Sequence, residues 1–337
     1  MWALAAFAAV AAALAAYCVN NLPPRRVLPG LAALPESDER RLTGSTKTAR
    51  LINPQGVETF VRVWGKDGEG KSTVVMLHGF SWHSQYFAPL AQRLADEGGF
   101  KVIAYDLQGH GRSGLVDGAK GYATRFDDWV RELNQVVGEH AASDKGKLFI
   151  FAESMGATIA LRALTGATKL FPRNVSGIVF SGPVIRVAQE VLPPKPVVFV
   201  IKALATVFPL LSVPSSEVAD GFEGAFGDQS FAKQAKKDPL VIFDNPRLRS
   251  AAEILATVDA NCKAFSQVTQ PLLVLHGDQD KRTHAANSVE FVGSVSSSDK
   301  RLEIIKGGNH QLLQDQPALT AAVTKHIVAF LSRIELS

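Results

Sequence analysis

Apolar and polar positions change their rhythm several times along the chain, and each change marks an element. The first nineteen residues, MWALAAFAAVAAALAAYCV, carry no charge, and the stretch NNLPPRRVLPGLAALPESDER that follows reads as a proline-rich linker. Residues 56–64 (GVETFVRVW) then alternate, as one arm of a hairpin with a single buried face would. Short apolar runs without alternation come next, at 72–77, 101–105, 147–152, 177–180, 271–276 and 301–305, the pattern of strands buried on both faces. Helical periodicity fills the intervals at 86–97, 126–138, 155–164, 285–292 and 318–333. The alternation predicts an α/β fold with a mainly parallel central sheet and helices on both faces.

Between Pro183 and Gln270 the alternation stops, although the strands on either side should be joined by one crossover. An inserted helical cap accounts for the gap. Within it the run 197–213, opening at Val197 and closing at Val213, has only Lys202 as a charge. It is too short to span a bilayer comfortably and too apolar for an exposed helix, so it is expected to bind substrate as the lining of an acyl pocket, to rest on a membrane, or both. A second cap helix is expected at 248–265, with Leu248, Ala251, Leu255, Val258, Cys262 and Phe265 on one stripe around a small core of the cap's own. The expected organisation is a leader (1–19), a linker (20–42), a core in two pieces (43–183 and 271–335) and the cap (184–270).

Composition narrows the function classes. With 337 residues, 46% hydrophobic, the chain can bury one substantial core and is too short for several domains. A net charge of +4 spread over scattered Lys and Arg does not make a nucleic-acid surface. The two cysteines, Cys18 and Cys262, supply neither a disulfide framework nor a metal quartet, so no metal or other cofactor is expected. The leader, if helical, is about 28 Å long, enough to cross a bilayer. Its first basic neighbours, Arg25 and Arg26, come after it, which predicts a membrane anchor with residues 25 onward in the cytosol. A cleaved signal peptide leading to the secretory pathway is the alternative.

The candidate chemistry centres on Ser154, in the stretch IFAESMGAT at 150–158. Here a strand pattern meets a helix pattern at a serine flanked by the small residues Ala152 and Gly156, which is how a nucleophile is presented on a sharp strand-to-helix turn. A serine needs a base, and the base needs a carboxylate to fix its tautomer. Strand 271–276 ends in Asp278-Gln279-Asp280 and strand 301–305 runs into Asn309-His310, so Ser, Asp and His follow in the order this topology requires. Position in the loop leaves Asp278 and Asp280 both open as the acid. His310 is preferred over His326, His284 and His140, which lie on or beside helices with no strand in front, and His110 is read as structural. The expected oxyanion donors are the backbone N–H groups of Met155, after the nucleophile, and Phe80, in the loop after strand 72–77.

These pieces together, LHGF with His83 and Tyr86 after it, DLQGHGRS, AESMG, KKDPLVIFDNPRLR, LHGDQDKRT and GGNH, resemble the α/β-hydrolase superfamily. Within it the chain resembles the monoacylglycerol lipase and lysophospholipase-like serine hydrolases, from about residue 56 to 331. The resemblance implies the α/β-hydrolase fold and assigns the acid to Asp280. Ala152 and Ala157 stand where the family usually has glycine, and the cap is diverged outside KKDPLVIFDNPRLR. The resemblance implies a carboxylic ester hydrolase acting on a lipid ester, a monoacylglycerol or lysophospholipid, at a membrane surface. An esterase for a small or phenolic ester, and a ligand-binding protein that keeps the fold without turnover, are the alternatives.

Overall fold

The structure, a computed structural model, describes residues 26–31, 36–65, 72–141, 145–166, 171, 174–186, 202–212 and 222–337. The leader 1–19, the two ends of the run 197–213 and much of the proline-rich stretch lie outside the described residues.

Eight strands form one sheet: β2 (Lys47–Ile52), β3 (Glu58–Trp64), β4 (Thr73–Leu77), β5 (Lys101–Asp106), β7 (Leu148–Glu153), β8 (Val175–Ser181), β9 (Leu272–Gly277) and β10 (Lys300–Ile305). Their order is β10-β9-β8-β7-β4-β5-β3-β2. All neighbours from β5 to β10 run parallel, and only β2 and β3 are antiparallel additions. The expected hairpin arm is β3, and its partner β2 meets it across Gly56, whose φ of +79° suits the turn. A separate two-stranded ribbon pairs β1 (Val27–Leu28) with β6 (Leu115–Val116).

Buried strands without alternation appear because both faces of the sheet are covered. In β7, Leu148, Ile150 and Ala152 join one apolar layer with Trp129, Leu133 and Phe180, while Phe149 and Phe151 join the other with Phe87, Phe330 and Leu331. The helices Phe126–Ala141 and Met155–Thr165 cover the first face, and Ala88–Asp96 and Pro317–Leu336 the second. Each large side chain fully buried this way contributes on the order of 1.5–3 kcal/mol. The parallel strands therefore all end at one edge, where the loops after β4, β7, β9 and β10 converge.

Two expectations need correction. The second cap helix ends at Cys262 rather than running through Phe265, which lies in a short helical turn, Phe265–Gln267. Its buried face is not the expected apolar stripe, since Ser250 and Asn261 are buried while Ala251 and Leu255 are only half-buried. Ser250 Oγ accepts from the Ala123 N–H at 3.2 Å, and Asn261 donates to the Thr158 carbonyl at 3.0 Å. The helix thus belongs to two cores: Leu248 and Ala252 pack on Ala205, whereas Ile254 and Cys262 pack against the main apolar layer. Polar residues took buried positions because backbone N–H and carbonyl groups of the neighbouring elements needed partners there.

Candidate active site

β7 delivers Ser154. The serine stands between the strand and the helix Met155–Thr165 with φ 51° and ψ −120°, a conformation that non-glycine residues rarely hold. Small neighbours make the turn possible: a Cβ on Gly156 would lie 2.6 Å from the Leu77 carbonyl oxygen. The Ser154 N–H donates to the Ser181 carbonyl at 3.1 Å, and its carbonyl accepts from Ala157 and Val184, both at 3.1 Å. These bonds pin the strained residue from both sides, so its hydroxyl projects over the end of the sheet.

β10 and its following loop bring in His310, whose Nε2 lies 3.0 Å from Ser154 Oγ. The other ring nitrogen, Nδ1, lies 2.7 Å from Asp280 Oδ2, in the loop after β9. Asp280 is 6% exposed and His310 3%, so this line of contacts is shielded from water. Asp280 Oδ1 accepts the N–H groups of Arg282 and Thr283 at 2.8 and 2.9 Å, and Oδ2 accepts the Thr283 hydroxyl at 2.8 Å. Burial pushes the carboxyl up, but the attraction of His310 and the hydrogen bonds from His276, His310 and Thr283 outweigh it and hold the group well below the usual carboxylate range. Asp278, the other acidic candidate, is exposed and accepts the Gly307 N–H at 2.8 Å, which ties two loops together away from His310.

The loop after β4 closes the site. Gly79 lies against Ser154, Phe80 follows it, and neither the Phe80 nor the Met155 N–H has a partner among the described backbone hydrogen bonds. Met155 opens its helix, where the first N–H groups have no intrahelical acceptor and the helix dipole favours negative charge. Two contacts of Gln311 brace this loop from behind. With its amide oriented to satisfy its neighbours, Gln311 donates to Glu153 Oε1 at 2.6 Å and accepts from Trp82 Nε1 at 2.7 Å. Sequence reasoning missed this brace, although each member adjoins or follows a motif residue.

The other histidines weighed from the sequence stand apart from this line. His110 is buried with Nδ1 3.0 Å from the Gln108 carbonyl oxygen, and burial lowers its pKa to about 4, so it serves the loop as a neutral ring. His326 lies 4.0 Å from Glu303, His284 is the N-cap of the helix Ala285–Ser294, and the His140 carbonyl accepts from Lys101. In the described part of the apolar cap run, Leu204, Phe208, Leu210 and Leu211 are exposed, and Ala205 is the buried member. Among the described residues no group of His, Cys, Asp or Glu is arranged to hold a metal ion, and no helix is long and apolar enough to cross a membrane.

The family called Hydrolase_4, described as serine aminopeptidase, S33, matches residues 68–317. The chain belongs to this family. A monoacylglycerol lipase of Mycolicibacterium smegmatis is 29% identical over 280 residues, covering 82% of this chain and 95% of that protein. The caffeoylshikimate esterase of Arabidopsis thaliana is also 29% identical, over 262 residues and 76% of each chain. Among solved structures, a soluble variant of the Saccharomyces cerevisiae monoglyceride lipase with a substrate analogue superposes with a TM-score of 0.70 at 19% identity, covering 86% of this chain and 94% of that one. The α/β-hydrolase fold and the resemblance to monoacylglycerol lipases are both borne out, and the expected class, a carboxylic ester hydrolase, agrees with the family and these relatives.

Proposed function

We propose that this S33-family member cleaves the carboxylic ester of a lipid, a monoacylglycerol or lysophospholipid, through an acyl-enzyme on Ser154. The observation that carries the reading is the buried line from Ser154 Oγ through both nitrogens of His310 to Asp280, at 3.0 and 2.7 Å. In this reading His310 Nε2 takes the hydroxyl proton as Ser154 Oγ attacks the acyl carbonyl. Asp280 accepts from Nδ1–H, fixes the tautomer and stabilises the imidazolium. The Phe80 and Met155 N–H groups hold the oxyanion, and each such donor is typically worth about 100- to 1,000-fold in rate. The imidazolium then protonates the leaving alcohol. Water attacks the acyl-enzyme with His310 again as base, which frees the fatty acid and restores Ser154.

The lipid substrate is supported by the monoacylglycerol lipases among the relatives, and by the exposed Leu204, Phe208, Leu210 and Leu211 on the stretch between β8 and β9. In the same reading, residues 43–183 and 271–335 form the catalytic core, 184–270 the cap, and the leader 1–19 holds the enzyme on a membrane with its catalytic part in the cytosol. A second reading, an esterase for a phenolic ester, is favoured by the plant relative at equal identity. A panel of monoacylglycerols, lysophospholipids and short or phenolic esters, run with wild type and Ser154→Ala, separates the two. Long-chain turnover that vanishes in Ser154→Ala is expected. Rates that peak on short or phenolic esters would move the assignment to the second reading, and turnover retained by Ser154→Ala would remove the nucleophile.

A further inference from the structure

The Asp280 carboxylate is met by a second imidazole that the mechanism above does not use. His276 is the penultimate residue of β9 and is wholly buried. Its Nε2 lies 2.8 Å from the Thr283 carbonyl oxygen and 3.2 Å from Asp280 Oδ2. Both neighbours are acceptors, so Nε2 carries a proton and shares it between them. Nδ1 lies 2.7 Å from Ser288 Oγ, on the helix Ala285–Ser294, where the hydroxyl can turn to donate to it.

The contact completes a cradle. Oδ2 of Asp280 is surrounded by His310 Nδ1, the Thr283 hydroxyl and His276 Nε2, while Oδ1 has the two N–H groups already described. Among the described residues, the titratable side chains in hydrogen-bond reach of this carboxylate are His276 from β9 and His310 from the loop after β10. The helix Ala285–Ser294 presents the neutral Ser288, and the end of β8 presents the Gly182 carbonyl, 3.4 Å from Thr283 Oγ1. The Thr283 carbonyl fixes the proton on Nε2, and the same N–H thereby stands 3.2 Å from the Asp280 carboxylate.

We propose that His276 is a positioning residue for the reaction: its Nε2–H fixes the 280–283 turn and holds Asp280 Oδ2 towards His310, with Ser288 setting the ring's orientation. The proposal rests on the Ser154 reading. Relieved of this donor, Asp280 is held less firmly, and the carboxylate attracts the His310 imidazolium more strongly. Turnover should fall, and the acid limb of the rate profile should move to higher pH, because the base stays protonated further up the scale.

The test uses the full chain, with active sites titrated by a fluorophosphonate and turnover of a p-nitrophenyl ester followed across pH. In His276→Leu, kcat per titrated site is expected to fall about 10- to 100-fold, the size of a lost hydrogen bond to a charged group, with KM little changed and the acid limb raised. His276→Gln, whose amide nitrogen can stand near the position of Nε2, should recover most of the loss. Ser288→Ala, which leaves the ring free to turn, should show a smaller shift of the same sign. Wild-type kcat and acid limb in folded His276→Leu would overturn the proposal. If His276→Leu does not fold, wild-type behaviour in Ser288→Ala together with no recovery of folded activity in His276→Gln overturns it. Absence of labelling in folded wild type would instead sink the Ser154 reading, and this proposal with it.

Discussion

Gly79 stands against Ser154 so closely that a Cβ added to it would lie 2.8 Å from the serine Cβ and 3.3 Å from its Oγ. The obstacle is space alone, since the backbone of Gly79 is not among the positive-φ positions. Gly79→Ala must therefore push the loop carrying Phe80 away from Ser154. The expected result is a loss of about 100-fold in kcat/KM, the size of one displaced oxyanion donor, with the unfolding midpoint nearly unchanged. Fluorophosphonate labelling rates and a urea titration of the same preparation check both halves, and a variant that labels at the wild-type rate would remove Phe80 from the site.

Asp238 fastens its stretch, KKDPLVIFDNPRLR, to that same loop. Its Oδ2 lies 3.1 Å from His83 Nε2 and accepts the Tyr86 hydroxyl at 2.9 Å, and nearby the Ile242 N–H donates to the Ser81 carbonyl at 2.9 Å. Asp238→Ala strands two largely buried donors and is expected to cost about 1–3 kcal/mol of stability. Burial would raise this carboxyl, but the hydrogen bond and charge of His83, with the Leu240 N–H and the Tyr86 hydroxyl, bring it down to about 2. A depressed carboxyl stabilises the fold above its unfolded value of 3.8 and loses that contribution as pH falls towards 2. Wild type and Asp238→Ala should accordingly differ in urea midpoint near neutrality and converge in acid. A constant difference down to the lowest pH would show that the ion contributes nothing.

Much of this could be read from the chain before any fold was known. The strands of the sheet declared themselves because both faces are covered, and the elbow did because Gly156 has no room for a Cβ. The order of Ser154, Asp280 and His310 followed from which strands end at one edge. Residues alone did not separate Asp278 from Asp280, since both sit in one loop and only the second faces His310. What stayed hidden is polar burial across distance. Arg62 falls in the alternating stretch 56–64, and nothing local shows that it is fully buried beneath Glu39 and Asp106. Tyr86 and Asp238 meet across 152 residues of chain, and no local period reports such a pair.

Arg62 makes a third prediction. Its guanidinium contacts Glu39, donates to Ser84 Oγ at 2.5 Å and lies 3.2 Å from Asp106 Oδ1, all without exposure to water, with Phe60 4.6 Å beneath it. Arg62→Met leaves two buried carboxylates without their cation, and removing one partner of such a group costs about 3–5 kcal/mol. Asp106 is held in turn by the N–H groups of Ser84 and Arg112, each at 2.8 Å, so the loss should reach the 83–86 turn and the glycine-rich loop at 109–111. Calorimetry or urea unfolding measures the cost. A change within about 0.5 kcal/mol, the range of surface substitutions, would contradict the description of this cluster.

Glu153 gives the opposite sign of pH dependence. It precedes Ser154, is 2% exposed, and burial pushes its carboxyl from 4.5 up to about 8, only partly offset by the hydrogen bond from Gln311. Between those two values the folded protein holds a proton that the unfolded chain has released, so stability attributable to this group is complete below 4.5 and falls as pH rises through about 8. Glu153→Gln keeps the shape and a hydrogen-bonding partner for Gln311 while removing the titration. The variant should therefore gain on wild type in urea midpoint as pH is raised from acid to mildly alkaline, whatever other groups contribute to both proteins. In the proposed reaction, ionisation also places a negative charge one residue from Ser154, beside the substrate oxygen on which the oxyanion develops, so wild-type kcat should decline on the alkaline side where Glu153→Gln does not. Parallel stability curves and parallel rate profiles would mean that Glu153 is already ionised in the folded protein.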